Sequence, residues 1–246
     1  MVAHIITVLF SGFMIYTAWP GSSLFSWHPT LMTLAFVVGM FEAMLVFNRE
    51  SSIFVNMQRP TKVLIHHVLQ VFAVVCSLTG FTVIYYNKVL NEKPHFTSWH
   101  GLLGIITVCA IPLAALGGNI VKYQFLRDLF KIKISLGKLK IYHATAGLVV
   151  FTLVMFTIML GLYSDWFVNQ VSSILWYISA MSVSFMAVVV MNQVTQEYLP
   201  RAQGRVPVTS LGPASAAATG NRNTAKFSSG NQTGNKSAKK ESKKKN

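Results

Sequence analysis

Long apolar runs separated by short polar stretches set the pattern of this chain. Six runs stand out, at residues 3–19, 27–48, 63–86, 99–121, 141–164 and 171–194. A helix that crosses a bilayer needs about 20 mostly apolar residues. The pattern therefore predicts an all-α polytopic membrane protein with six transmembrane helices. The first run is the weakest, because it is short and has almost no flank. It looks like a secretory leader, but the basic stretch that opens such a leader is missing. It is expected to be a true span, and a sequence shortened at its amino end would account for the missing flank.

Histidines punctuate these runs. His28, His66, His100 and His143 each lie within about the first turn of a different run. The chain reverses at every span, so His28 and His100 fall near one face and His66 and His143 near the other. A polar group inside a bilayer is costly unless partnered, which makes each of the four a functional candidate. The pairs must be His28/His100 and His66/His143, because His28 with His66 would reach across the membrane. At 1.5 Å rise per residue the two levels lie roughly 20–25 Å apart. Two inward-facing imidazoles at each level, on four neighbouring helices, suit the axial positions of two haem irons. Such iron has no open position, which favours electron transfer over oxygen chemistry.

A transporter for zinc or iron would instead need carboxylates and several ligands at one depth. Glu42 is the only carboxylate inside a run. Gly101, Gly104, Ala144, Ala146 and Gly147 lie beside two of the histidines, where small residues suit a flat macrocycle. They equally suit close helix packing. His67 points about 100° away from its neighbour His66, so only one of the two can face a given haem, and His66 is the choice. His4 opens the first run with no partner evident at its depth and is expected to be interfacial. His95 lies in a connecting loop, five residues before His100.

Composition supports the membrane reading. The chain is 52% hydrophobic and 11% charged, against roughly 25% charged in soluble domains. Its charge is unevenly placed. Three Lys/Arg fall in 49–62, six in 121–140 and ten after residue 194, leaving only Lys88 and Lys93 on the other side. The positive-inside rule makes the rich side cytosolic, with both termini there, in agreement with an even number of spans.

The net charge of +14 does not point to nucleic acid, because ten of the basic residues sit in the polar tail. The expected division is a membrane domain over 1–198 and a disordered, basic cytosolic tail over 199–246. Such a tail is drawn to anionic lipid. Lys243 and Lys244 resemble a dilysine signal for retrieval to the endoplasmic reticulum, so the membrane is expected to be that of the reticulum or of a cytoplasmic vesicle. Cys76 and Cys109 sit mid-run without a metal or disulfide spacing and read as small buried hydrophobes.

Several segments together resemble cytochrome b561: Trp27-His28-Pro29, Leu45-Val46-Phe47, His66 before Val68-Leu69-Gln70, Trp99-His100-Gly101, and 138–147 with Tyr142-His143-Ala144 at its centre. The likeness covers 25–198 and is strongest to the b561-domain-containing branch. It implies a six-helix dihaem reductase holding two haem b groups per chain, ligated by His28, His66, His100 and His143. It also implies electron transfer from cytosolic ascorbate to monodehydroascorbate radical or ferric chelates on the lumenal side. The assembly is expected to be a monomer or a homodimer in the lipid bilayer, without nucleic acid. In the plant and chromaffin-granule branches, a basic, tyrosine-containing motif ends span two and helps to bind ascorbate. Here that stretch reads Leu45-Val46-Phe47-Asn48-Arg49-Glu50.

An ascorbate anion and the haem propionates both require nearby cations. Lys62 lies one turn before His66 and Lys140 one turn before His143, with Lys138 and Arg59 close by. Any one of them also reads as ordinary flanking charge; as a group they form an anion funnel. On the opposite mouth Lys93, His95 and Phe96 are the candidates for contacting the acceptor, in a loop that resembles the outer substrate loop of the plant proteins. Two other readings stay open. One is a dihaem conduit served by a different cytosolic donor, such as a flavoprotein. The other is a non-haem membrane protein, a channel or chaperone subunit.

Overall fold

The computed structural model describes residues 1–48 and 52–202, and side chains as far as Gln196. Arg49, Glu50 and the expected tail beyond Ala202, with its dilysine pair Lys243/Lys244, lie outside the described residues; residues 199–202, expected in the disordered tail, instead continue the last helix. Every described element is helical. Among the described residues five helices are long and apolar enough to cross a membrane: span two (Trp27–Leu45), span three (Arg59–Leu90), span four (Trp99–Lys122), span five (Leu136–Leu162) and span six, whose apolar part is Ser173–Gln196 within Ser173–Ala202. The first helix, Val2–Ala18, has 17 residues, at the low end of the spanning range of about 17–25. Short helices Gln124–Leu129 and Asp165–Gln170 occupy connections where none was expected.

Spans three and five extend further than their apolar runs. Hydropathy marks the hydrocarbon slab, whereas the helical hydrogen-bond ladder continues into the headgroup layer. Pro60 helps to open span three, where a missing N–H costs nothing. The Ser98 hydroxyl caps span four by accepting from Gly101 N at 3.1 Å. Several hydroxyls within the membrane are satisfied by their own helix. Thr30, Thr33, Thr107 and Thr157 each donate to the carbonyl four residues back, so none needs water there.

Span two is the innermost helix. Of its window, 56% is buried, against 17% to 33% for the other four. The first helix lies against spans two and six, and span three pairs with span two as span five pairs with span four. The middle of span two, Leu34–Phe41, is π-helical. There Gly39 meets span three so closely that a Cβ would stand 2.9 Å from the Ala73 Cβ. The core between the helices is filled by Phe41 and Phe151, fully buried and stacked at 5.9 Å between ring centres. Of the two cysteines, Cys76 is buried as expected, but Cys109 is exposed. Its run is mid-membrane, and its face points outward, which hydropathy alone does not distinguish.

Candidate functional site

The four histidines meet in two pairs. The rings of His28 and His100 are 6.2 Å apart between centres, at 78°. Those of His66 and His143 are 6.4 Å apart, at 89°. Each pair joins one helix of the two/three unit to one helix of the four/five unit. His28 Nδ1–H donates to the Gly80 carbonyl at 3.1 Å, His100 Nδ1–H to Thr157 at 2.9 Å, and His66 Nδ1–H to Ala43 at 2.8 Å. A carbonyl oxygen only accepts, so in all three rings Nδ1 holds the proton and Nε2 keeps its lone pair. That is the tautomer a metal-ligating histidine adopts when a second hydrogen bond orients it.

The separation of the two levels can be read along the helices. Gly80, which holds His28, lies fourteen residues after His66 on span three; Thr157, which holds His100, lies fourteen after His143 on span five. At 1.5 Å per residue both intervals are about 21 Å.

The geometry fits an ion between each pair of rings. Metal–imidazole bonds of about 2.0–2.1 Å, with ring centres roughly 1.1 Å behind the nitrogens, put two axial imidazole centres about 6.3 Å apart. The fourth ring gives a second test. His143 Nδ1 is buried without a hydrogen-bond partner among the described residues, an arrangement that costs about 1–3 kcal/mol in a protein that uses the ring only for packing. No cluster of three or more metal-ligating side chains occurs among the described residues; the four imidazoles stand as two pairs.

The residues that cradle the rings differ from those the sequence suggested. A Cβ on Gly118 would stand 3.0 Å from His143 Cε1, and one on Gly161 would stand 3.1 Å from His100 Cε1. Each glycine sits near the far end of the antiparallel partner helix, at the depth of the histidine it faces. Gly101 instead serves the span-four entry, where a Cβ would meet Ser98 Oγ at 3.3 Å. Gly104 and Gly147 have only ordinary contacts, at 3.9 Å to Thr157 and Met44. The antiparallel register is the signal that would have pointed to Gly118 and Gly161.

The remaining candidates are distributed as follows. His67 turns from the pair toward Tyr123, 6.2 Å between ring centres. Lys62 Nζ donates to the Val55 carbonyl at 3.3 Å; Arg59 and Lys138 are exposed and Lys140 is half-buried. At the other end His95 stacks on Tyr85 at 4.2 Å and Phe96 on Phe81 at 6.5 Å. Phe96 has a left-handed φ of 56°, and Lys88 Nζ donates to the Pro94 carbonyl at 2.8 Å. Lys93 is exposed. Tyr85 and Phe81 were not singled out in the sequence. His4 is a correction: it has a partner, Glu42, at 2.7 Å from its Nδ1. That contact joins the first helix to span two, a pairing that hydropathy does not encode.

Comparison with known proteins now bears on this geometry. The family model of eukaryotic cytochrome b561 matches residues 27–168. The chain belongs to the cytochrome b561 family. It is 40% identical over 199 residues to the transmembrane reductase CYB561D2 of Bos taurus, covering 81% of this chain and 88% of that protein. It is 36% identical over 201 residues to the probable transmembrane reductase CYB561D1 of Mus musculus, covering 82% and 86%. A cytochrome b561 is a haem b protein of the membrane, and the family match makes this chain a transmembrane oxidoreductase. The matched segment contains both histidine pairs, Gly118 and Gly161.

Proposed function

We propose that this cytochrome b561 carries electrons across the membrane through two b haems, one ligated by His28 and His100 and one by His66 and His143. The observation that carries the reading is the pair of imidazole pairs, at 6.2 and 6.4 Å, at two levels on the same four helices. When bound, each haem supplies a one-electron carrier. The protein's part is to fix the rings. Three Nδ1–H···O=C bonds hold the imidazole orientation and raise its basicity toward iron. Phe41 and Phe151 fill the space between the helices with apolar atoms and keep water out.

Ascorbate is the proposed donor, at the cytosolic face beside His66 and His143. It is an anion at neutral pH, and Arg59, Lys62, Lys138 and Lys140 give that mouth a positive potential. The acceptor, monodehydroascorbate radical or a ferric chelate, is proposed to meet the lumenal loop, where Tyr85 and Phe81 hold His95 and Phe96 in place, with Lys93 beside them. A membrane of the endoplasmic reticulum or a vesicle, with both termini cytosolic, accords with the charge distribution.

One observation favours a second donor class. Lys62 is tied to the Val55 carbonyl, and span two ends without the basic, tyrosine-containing motif. A cytosolic flavoprotein would then feed the same conduit. An absorption spectrum of the purified protein, followed by stopped-flow mixing with ascorbate, tests both. Two b-type centres reduced rapidly by ascorbate are expected. Two centres that ascorbate leaves oxidised would reject ascorbate as donor, and no b-type bands would reject the conduit.

A further inference from the structure

The first helix and span two share an ionisable pair that ligation does not use. His4 Nδ1 and Glu42 Oε2 are 2.7 Å apart, and their side chains are 16% and 19% exposed. Ionisable groups within a membrane segment are costly and mark function by default. Glu42 directly precedes Ala43, whose carbonyl accepts the His66 Nδ1–H bond at 2.8 Å. The pair is therefore one peptide unit from the group that orients His66. Glu42 lies within one turn of the end of span two at Leu45, so the pair is near that end of the bundle.

We propose that the His4–Glu42 pair is a proton-binding site linked to electron uptake at the His66/His143 level, taking one proton from cytosolic water for the electron that arrives there. The proposal rests on the haem reading above. An imidazole and a carboxylate in contact hold either one proton, with net charge −1, or two, with net charge zero. An added electron nearby favours the second state, and a low-dielectric surround strengthens the coupling. The balance is simple: the haem level gains one electron, the pair gains one proton, and no covalent bond other than N–H or O–H changes. Both are released when the electron passes to the other level. Oxidation of an ascorbate monoanion to its radical frees one electron and one proton, so the pair would keep local charge constant during electron entry.

Among residues whose side chains are described, the other ionisable groups on the helices at this end are Arg59, Lys62, His66 and His67 on span three, Lys122 on span four, and Lys138, Lys140 and His143 on span five. Asn48 and Gln193, which bond to each other at 2.9 Å where spans two and six meet, are neutral. Reduction makes the neutral, doubly protonated pair more favourable, so linked proton uptake requires the midpoint potential to fall as pH rises.

The test is a spectroelectrochemical titration of each haem in the full-length, lipid-reconstituted protein from about pH 5 to about pH 9. The expected result is a His66/His143 haem whose reduction equilibrium falls by up to tenfold per pH unit, about 59 mV for one electron, with the other haem nearly flat. Glu42→Gln and His4→Asn should each flatten that slope and keep both haem spectra. A slope unchanged in both variants overturns the proposal, as does a slope removed only by Lys62→Gln or His67→Asn. If Glu42→Gln does not fold, His4→Asn still decides. Proton uptake by the wild type, read with an indicator dye during reduction by an electron donor whose oxidation releases no proton, gives a second measure: about one proton per electron is expected at that level, and none would overturn the proposal. Failure of the haem reading is distinguishable, because it appears as a missing haem in the wild type before any slope is measured.

Discussion

The two ends of the bundle are built on one plan and finished differently. At the His28/His100 end both rings are held by backbone carbonyls, Gly80 and Thr157. Thr157 is fixed further by its hydroxyl, 2.9 Å from that of Thr107. At the His66/His143 end only His66 is held, by Ala43, while His143 Nδ1 has no partner among the described residues. The first end is poor in cations and closed by an aromatic loop; the second carries Arg59, Lys62, Lys138 and Lys140. A rigid site with few charges suits passing an electron outward. A less constrained site in a positive field suits receiving one from an anion.

Removing a ligand breaks the comparison most directly. His28→Ala or His100→Ala should abolish the haem of that end and leave the other, and His66→Ala or His143→Ala should do the reverse, read by haem stoichiometry and reduced-minus-oxidised spectra. Loss of a single haem in His28→Ala together with His66→Ala would show the pairing to be wrong.

The glycines sharpen it. Gly161→Ala pushes a Cβ to 3.1 Å from a ring that Thr157 holds, so thermal stability should drop by about 1–3 kcal/mol, as overpacking does. Gly118→Ala crowds His143 to 3.0 Å, but that ring has no Nδ1 bond to lose. It should turn, giving a smaller stability loss and a shifted spectrum for its own haem. Equal melting losses would remove the proposed difference in rigidity.

The electrostatic difference is tested by changing Lys62, Lys138 and Lys140 together to Gln. Reduction by ascorbate should slow several-fold, and added salt should slow the wild type, because exposed charges are screened beyond about 8–10 Å. A neutral, membrane-permeant reductant should act at nearly the same rate on both proteins. Equal slowing by both reductants would assign the lysines to folding or haem retention.

Smaller effects are expected from two histidines outside the pairs. His95→Ala removes a ring stacked at 4.2 Å on Tyr85 and should lower ferric reduction in sealed vesicles about two- to tenfold, in line with loss of one aromatic contact of roughly 0.5–1.5 kcal/mol. Both haem spectra and the rate of reduction by ascorbate should stay as they are. His67→Ala should keep both haems, since that ring faces Tyr123. Loss of the His143-side haem there, with His66→Ala unaffected, would transfer the assignment to His67.

The sequence by itself determined the spans and the two histidine levels. A bilayer requires every backbone polar group to be satisfied internally, which a long apolar run does as a helix, and it penalises each unpartnered imidazole, so apolar runs and the places where histidines interrupt them are local signals of unusual strength. His28, His66, His100 and His143 were legible because alternating direction assigns them to faces without any knowledge of packing. Tertiary structure decided what depends on which helix touches which. The register of span four against span five makes Gly118 and Gly161, rather than Gly101 or Gly104, the residues against the rings. The docking of the first helix on span two gives His4 the Glu42 carboxylate, 38 residues away in sequence. The π-helical stretch of span two and the close approach of Gly39 to Ala73 belong to the same class. These contacts join residues far apart in sequence, where neither periodicity nor hydropathy carries a term that links them.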